Sequence, residues 1–171
     1  MYSTILLDPP WPERGGGKIK RGADRHYQVI SSRIAMLRVI ITSPAWKPSP
    51  DAHVYMWSTD NYLSWAMWLM ECLGIKMHRT LPWTKPGRMG LGQYFRGCHE
   101  ILLFGTIGHG KSVCKPGTFR TDALCGAPSS GRHSAKPERA YELIESRSMG
   151  PYMEMFARDT RVGWCSWGNE V

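Results

Sequence analysis

The sequence predicts an α/β domain with a mostly parallel sheet, and three observations carry that prediction. Apolar runs of strand length alternate with segments of helical period along most of the 171 residues. The first run, Ile5-Leu6-Leu7, ends in Asp8-Pro9-Pro10-Trp11, which sets a carboxylate at the carboxyl end of a strand, where open α/β sheets bind ligands. No internal repeat or low-complexity linker divides the chain, so one domain is expected over 1–171.

Residues 3–8 read as a buried strand and 12–30, with Gly15-Gly16-Gly17 and alternating charge, as a loop. A helix is expected over 31–41, capped by Ser31 or Ser32, with Ile34, Leu37 and Ile41 on its apolar face. Pro44, Pro48 and Pro50 end it, and a strand follows at 52–57. Thr59 or Asp60 caps a helix through Leu73, with Gly74 as its stop. Its apolar residues nearly encircle it, which predicts deep burial or contact with another chain. Strands at 75–83 and 99–105 flank a glycine-rich loop over 84–97, and a Gly-, Pro- and Ser-rich loop covers 106–135. Pro137 suits the first position of a helix to Arg147. The last strands, 152–157 and 162–167, are joined by too few residues for a helix and are expected to form an antiparallel hairpin.

Hydrophobic residues make up 42% and charged residues 21% of the chain, a soluble globular balance. No run reaches membrane-span length, and Met1-Tyr2-Ser3-Thr4 leads into a strand without a basic, then apolar, leader pattern. Five cysteines with no CxxC pair fit free thiols and a cytoplasmic setting. The net charge of +8 favours a polyanionic partner. The charge is biased toward loops: Arg14, Lys18, Lys20, Arg21 and Arg25 directly follow Trp11, and Lys85, Arg88, Arg96, Lys111, Lys115, Arg120 and Arg132 sit in later turns.

Asp8-Pro9-Pro10-Trp11 has two readings. Asp-Pro-Pro is a good strand-ending turn, and tryptophan beside proline is often packing. In the chemical reading the prolines fix the backbone and hold carbonyls outward as acceptors beside the Asp8 carboxylate. An indole face adds stacking, and the set suits a planar base with an exocyclic amine such as adenine.

Two rival motifs arise downstream. Gly105 to Ser112, GTIGHGKS, matches the G-x-x-x-x-G-K-[ST] phosphate loop and follows an apolar strand. A phosphate cradle requires a helix starting at the lysine, yet Pro116-Gly117 allows barely one turn. Cys98, His99, His109, Cys114, Cys125 and His133 lack the closely spaced ligand pairs of a structural zinc site, so no metal is expected. In the C-terminal third, Lys136 and Arg158 suit a small carboxylate, whereas Asn169 and Glu170 at a strand terminus suit ribose hydroxyls. Glu154 lies in the strand before Arg158.

The chain resembles the adenine N6-methyltransferase family typified by the mRNA adenosine methyltransferases, the MT-A type. The likeness runs in order through TILLDPPW, His26-Tyr27 with Ser31, HVYMWSTDNYLSWAMWLMECLG, PWTKPGRMGLGQYFRGCHEILLFG, HSAKPERAYELIES, GPYMEMFAR and GWCSWGNE. It implies a Rossmann-like fold that uses S-adenosylmethionine, with the catalytic motif placed before the cofactor motif. Asp8, Pro9, Pro10 and Trp11 take the catalytic positions. Lys136 matches the lysine of a loop over cofactor and substrate, and Arg158, Asn169 and Glu170 match positions near the donor's nucleoside. Asp8 and Glu154 complete the expected cofactor set. Tyr27 borders the active site, and Gly90, Gly92, Tyr94, Arg96, His99 and Glu100 fall in a loop used for partner or nucleic-acid contacts. Lys18, Arg21, Arg25, Tyr94 and Arg96 are the expected contacts to substrate.

The sequence departs from some relatives in having only seven residues before Asp8 and Asp159-Thr160-Arg161 after Arg158. Asp8 and the Pro9 carbonyl are expected to accept the two N–H groups of the adenine amine, with Trp11 or Tyr27 stacked on the base. DNA is favoured over RNA because no added RNA-binding module is visible, and a homodimer or partner subunit is expected. The alternatives are an RNA methyltransferase, an idle nucleic-acid-binding subunit, and a nucleotide hydrolase using Gly105–Ser112.

Overall fold

Residues 1–13, 30, 32–87, 94–129 and 135–171 are described by the computed structural model. Ile5-Leu6-Leu7 is apolar toward both faces, as a strand covered on both sides must be, and it lies inside a six-stranded sheet. The sheet order is β3 (Lys76–Thr84), β4 (His99–Ile107), β2 (Pro48–Ser58), β1 (Tyr2–Leu7), β5 (Tyr152–Met155), β6 (Trp164–Trp167). β1 pairs in parallel with β2 and β5, and β5 in parallel with β6. β4 is antiparallel to both neighbours, so it is the reversed strand of an otherwise co-directional set. The fold is thus Rossmann-like α/β with a mostly parallel sheet.

Helices cover both faces. α1 (Arg33–Thr42) and α2 (Leu63–Cys72) pack on the face that carries Ile5, Leu7, Val54, Met56 and Met155. α3 (Glu138–Arg147) covers the other face, where Leu6, Tyr55, Trp57 and Trp83 meet Leu143 and Ile144. Alternation along β2 sends Val54 and Met56 one way and Tyr55 and Trp57 the other.

Gly74 ends α2 as its position predicts. Its φ of +70° is open to glycine, and the Gly74 and Ile75 amides close the helix on the Glu71 and Met70 carbonyls.

Five expectations need correction. The last two strands are not an antiparallel hairpin: β5 and β6 run parallel, Tyr152 facing Trp164 and Met155 facing Trp167. Their link turns back without a helix, through Phe156 at φ 65° and Gly163 at φ 83°. α1 buries Met36 and Ile40, while Ile34 and Ile41 are exposed; apolar side chains ring this short helix, so the pattern left its rotation open. β2 begins at Pro48 rather than Ala52, because Tyr2 pairs with Pro48 before a register shift. Pro137 is the extended N-cap of α3, one place before the expected position. Similarly, a 3-10 turn at Asp60–Tyr62 takes Thr59 as its cap and delays α2 to Leu63.

Candidate active site

Five strands end, and β4 begins, on one edge of the sheet, so residues far apart in sequence gather there. Asp8 is held at the centre of that edge. Its amide donates to the Met155 carbonyl at 3.2 Å, adding one rung to the β1–β5 ladder. The chain order also reverses here, β2 lying on one side of β1 and β5 on the other. That crevice is the topological switch point at which such sheets bind ligands.

The segment after Asp8 is clamped from several sides. The Trp11 amide donates to the Pro9 carbonyl at 2.8 Å and the Ile30 amide to the Pro10 carbonyl at 3.2 Å. Trp11 is 4% exposed, stacks on Tyr62 at 5.8 Å with planes 9° apart, and donates its indole N–H to the Trp57 carbonyl at 3.0 Å. Tyr62 donates to the Pro12 carbonyl at 2.7 Å, and Thr59 and Asn61 both donate to the Glu13 carboxylate. The indole therefore anchors the turn instead of presenting a free face to a base.

Lys136 reaches Asp8 Oδ2 at 2.9 Å and Glu100 Oε2 at 3.3 Å, and Lys85 pairs with the other Glu100 oxygen. The side chains of Lys136, Asp8 and Glu100 are only 9, 14 and 12% exposed. Burial disfavours the Lys136 ammonium, but the Asp8 and Glu100 carboxylates outweigh it and hold its pKa above the ordinary lysine range. Burial likewise opposes the Glu100 charge, yet Lys136 and Lys85 bring its pKa below the usual carboxylate value. The result is an alternating chain, Lys85–Glu100–Lys136–Asp8. The Lys136 ammonium also lies 5.5 Å from the Trp57 ring centroid.

One strand away, Glu154 faces Leu6 in the β1–β5 register and accepts from the Tyr141 hydroxyl at 2.8 Å. Burial pushes the Glu154 carboxyl up to about 7; the Tyr141 bond works against the rise and the nearby Asp8 charge adds to it. Burial and the adjacent Glu154 also hold the Tyr141 phenol well above its usual value.

Past β5 and β6 the chain brings Arg158 and Glu170 to 4.0 Å. Gly168 makes this approach: a Cβ there would lie 2.0 Å from the Ala157 carbonyl oxygen. The Ala157 amide donates to the Trp167 carbonyl at 2.9 Å, fixing the two strand ends side by side. Asn169 and Glu170 are exposed beside the half-buried Arg158.

The sequence-predicted residues thus divide. Asp8 and Lys136 are in contact, Glu154 lies one strand from them, and Arg158 pairs with Glu170 on the same edge. Tyr94 and Arg96 are exposed on the loop before β4, with Tyr94 at 92%. The expected contacts Lys18, Arg21, Arg25 and Tyr27 lie outside the described residues. Glu100 belongs to the Asp8 cluster as well as to the loop the resemblance assigned it, and Lys85, Trp57 and Tyr141 join the site too. The signal for Glu100 lay at the start of an apolar strand, a position that reaches the ligand edge only when the strand runs backwards.

The other constellations are placed elsewhere. Gly105 lies inside β4, and Gly110–Val113 is a 3-10 turn with no helix starting at Lys111. The His109 amide and the Ser112 hydroxyl are bound by the Asp51 carboxylate at 2.6 and 2.7 Å. This is a carboxylate-capped turn, not a phosphate cradle. Cys72, Cys98, Cys114, Cys125 and Cys165 are free thiols. Among the described residues no three His, Cys, Asp or Glu side chains gather as a metal site, and no helix is long and apolar enough to cross a membrane.

Sheet order, helix placement and a proline-fixed carboxylate at the switch point define the class, a Rossmann-like methyltransferase fold. Within it the chain belongs to the MT-A70 family, whose model matches residues 2–170. It is 26% identical to the N6-methyladenosine RNA methyltransferase MTA1 of Cryphonectria parasitica, over all of this chain and 52% of that protein. The MTA1 of Pyricularia oryzae is 25% identical, over 99% of this chain and 47% of the relative. The human N(6)-adenine-specific methyltransferase METTL4 is 23% identical, over 99% of this chain and 37% of that protein. The chain therefore spans about half or less of the length of these relatives.

Proposed function

We propose that this chain transfers a methyl group from S-adenosylmethionine to N6 of adenine in nucleic acid. The observation that supports this most is Asp8, fixed at the switch point by β1 and two prolines and held as a carboxylate partner of buried Lys136.

The residues present fit the donor. Arg158 and Lys136 are cations suited to its amino-acid carboxylate, Asn169 and Glu170 offer polar groups for ribose hydroxyls, and Asp8 and Glu154 come from the adjacent strands β1 and β5. When bound, the donor supplies an electrophilic methyl group on a sulfonium sulfur.

The chain's own part is to prepare the amine, whose lone pair is delocalised into the purine. Lys136 occupies Asp8 Oδ2, which leaves Oδ1 to accept one N–H of the amine. The Pro9 carbonyl accepts the Trp11 amide with one lone pair and has a second for the other N–H. Accepting both bonds draws the lone pair out of the ring and aims it, so the gain is one of positioning and electrostatics. The proton that N6 sheds goes to Asp8 or to water. With Trp11 buried, Tyr27 is the aromatic group assigned to stack on the base. A base in a duplex has to leave the stack first, at a cost of about a few kcal/mol.

DNA, favoured above for want of an added RNA-binding module, now stands beside RNA as acceptor, since two relatives are named as RNA methyltransferases. Labelled methyl transfer to DNA and RNA oligomers, followed by nucleoside identification, tests both. N6-methyladenine is the expected product in one of them, and Asp8→Asn should lower kcat by about 10²–10³ with an unchanged far-UV spectrum. Normal turnover by that variant would refute the role of Asp8. Polynucleotide binding without any transfer would identify an idle subunit.

A further inference from the structure

A cavity opens on the α3 face, and its lining shares no residue with the Asp8 cluster. It measures about 320 Å³ and lies between β2–β4–β3, the end of α3 and the segment 117–121. Tyr55, Phe104 and Arg79 are direct cross-strand partners, so they project side by side from three strands on one face. Tyr55 and Phe104 pack at 5.0 Å between centroids.

Phe119 closes the outer side and is itself covered by Arg147, whose guanidinium carbon lies 5.3 Å from the ring centroid. Arg147 is braced by the carbonyls of Lys115 and Gly117 at 3.3 and 3.4 Å, both through Nη1, which leaves Nε and Nη2 for a ligand. Arg79 is exposed and, among the described residues, its side chain bonds the carbonyl of its neighbour, His78, at 2.8 Å. Arg120 is neutralised by Asp122. Among the described residues no acidic side chain lines the cavity, so Arg79 and Arg147 give that lining a net positive charge.

We propose that this cavity is a second binding site, which takes one nucleotide unit with its base on the open side of Phe119, against the edge of a Phe104 ring flanked by Tyr55 and His78, and its phosphate on Arg79 and Arg147. The volume is at the low end of small-ligand sites, which run from about 300 to 1,000 Å³, and so admits one nucleotide but not a stretch of strand. Aromatic faces bind any base, while forked guanidinium groups select the phosphate. The unit is either a free mononucleotide or a 5′-terminal nucleotide of a strand. The inference does not depend on methyl transfer.

The test titrates guanosine 5′-monophosphate, chosen because the Asp8 edge is directed at adenine, and a 5′-phosphorylated oligonucleotide against three proteins. These are wild type, Arg79→Glu, and Lys76→Glu, the last being the same charge change on the same strand outside the cavity. Arg79 and Lys76 are both exposed, so both variants should fold. At least tenfold weaker binding of either ligand by Arg79→Glu, with Lys76→Glu near wild type, supports the site, and the ligand affected identifies the source. Equal weakening by both variants, or no saturable binding of either ligand, overturns it. Methyl transfer to a short unphosphorylated oligomer should be the same in all three, so a failure of this site is distinct from a failure of the methyltransferase reading.

Discussion

Asp8 and Glu154 are carboxyl groups from adjacent strands of one sheet, and their partners differ. Asp8 has a buried ammonium against it, whereas Glu154 has a phenol and an apolar wall. Glu154 therefore keeps its proton to a higher pH than an ordinary carboxyl does. A carboxyl whose folded pKa, about 7, exceeds its unfolded value of about 4.3 binds more protons in the folded state between those limits. Its contribution to stability is complete below about pH 4 and is lost as pH rises through about 7. Glu154→Gln should flatten that loss, by an amount on the order of 3 kcal/mol at most. Urea unfolding of wild type and variant at pH 5 and 8 measures it, and identical pH slopes would contradict the buried, protonated state. Glu100 has the opposite sign: its lowered pKa contributes above the unfolded carboxylate range and is lost on acidification.

At the scale of elements, the ends of β5 and β6 depend on the close contact at Gly168. Gly168→Ala places a methyl group 2.0 Å from the Ala157 carbonyl oxygen, so the two ends must separate and carry Arg158 away from Glu170. Such overpacking costs about 1–3 kcal/mol. The expected outcome is a lower Tm together with at least tenfold weaker S-adenosylmethionine binding by calorimetry; a lower Tm with unchanged donor affinity would detach this corner from the cofactor. This corner also shows what the sequence could convey. Apolar runs marked all six strands, and Asp8-Pro9-Pro10 marked the centre of the edge, because local composition encodes burial and backbone restriction. Strand direction is set by distant pairing and by left-handed residues such as Phe156, so the parallel β6 was not legible. The reversal of β4 was hidden for the same reason, and with it the approach of Glu100 to Lys136. α1 shows a different limit, since a helix apolar all round does not announce which side faces inward.

For the whole molecule, charge governs encounter with a polyanion. The excess of eight positive charges, concentrated in loops, implies binding driven by release of counterions. Affinity for an unmodified oligonucleotide should fall about tenfold or more between roughly 50 and 200 mM salt, as measured by fluorescence anisotropy. A flat response would remove the basic loops from substrate binding. Affinity for S-adenosylmethionine should change far less, because a small ligand that carries no run of phosphates releases few counterions.

The central position of the first strand governs how the molecule is made. β1 precedes β2 to β6 in the chain, yet one of its two neighbours is β5, and the Thr4 hydroxyl finds its acceptor at Met149, 145 residues later. During synthesis β1 can pair only with β2, and its other side waits for nearly the entire chain. Contacts of such long sequence separation slow folding, and domains complete themselves only as their last segments emerge. The Asp8 turn is translated first, but the crevice beside it closes only after the last strands have been added. A growing chain therefore carries Asp8 before the edge around it is complete.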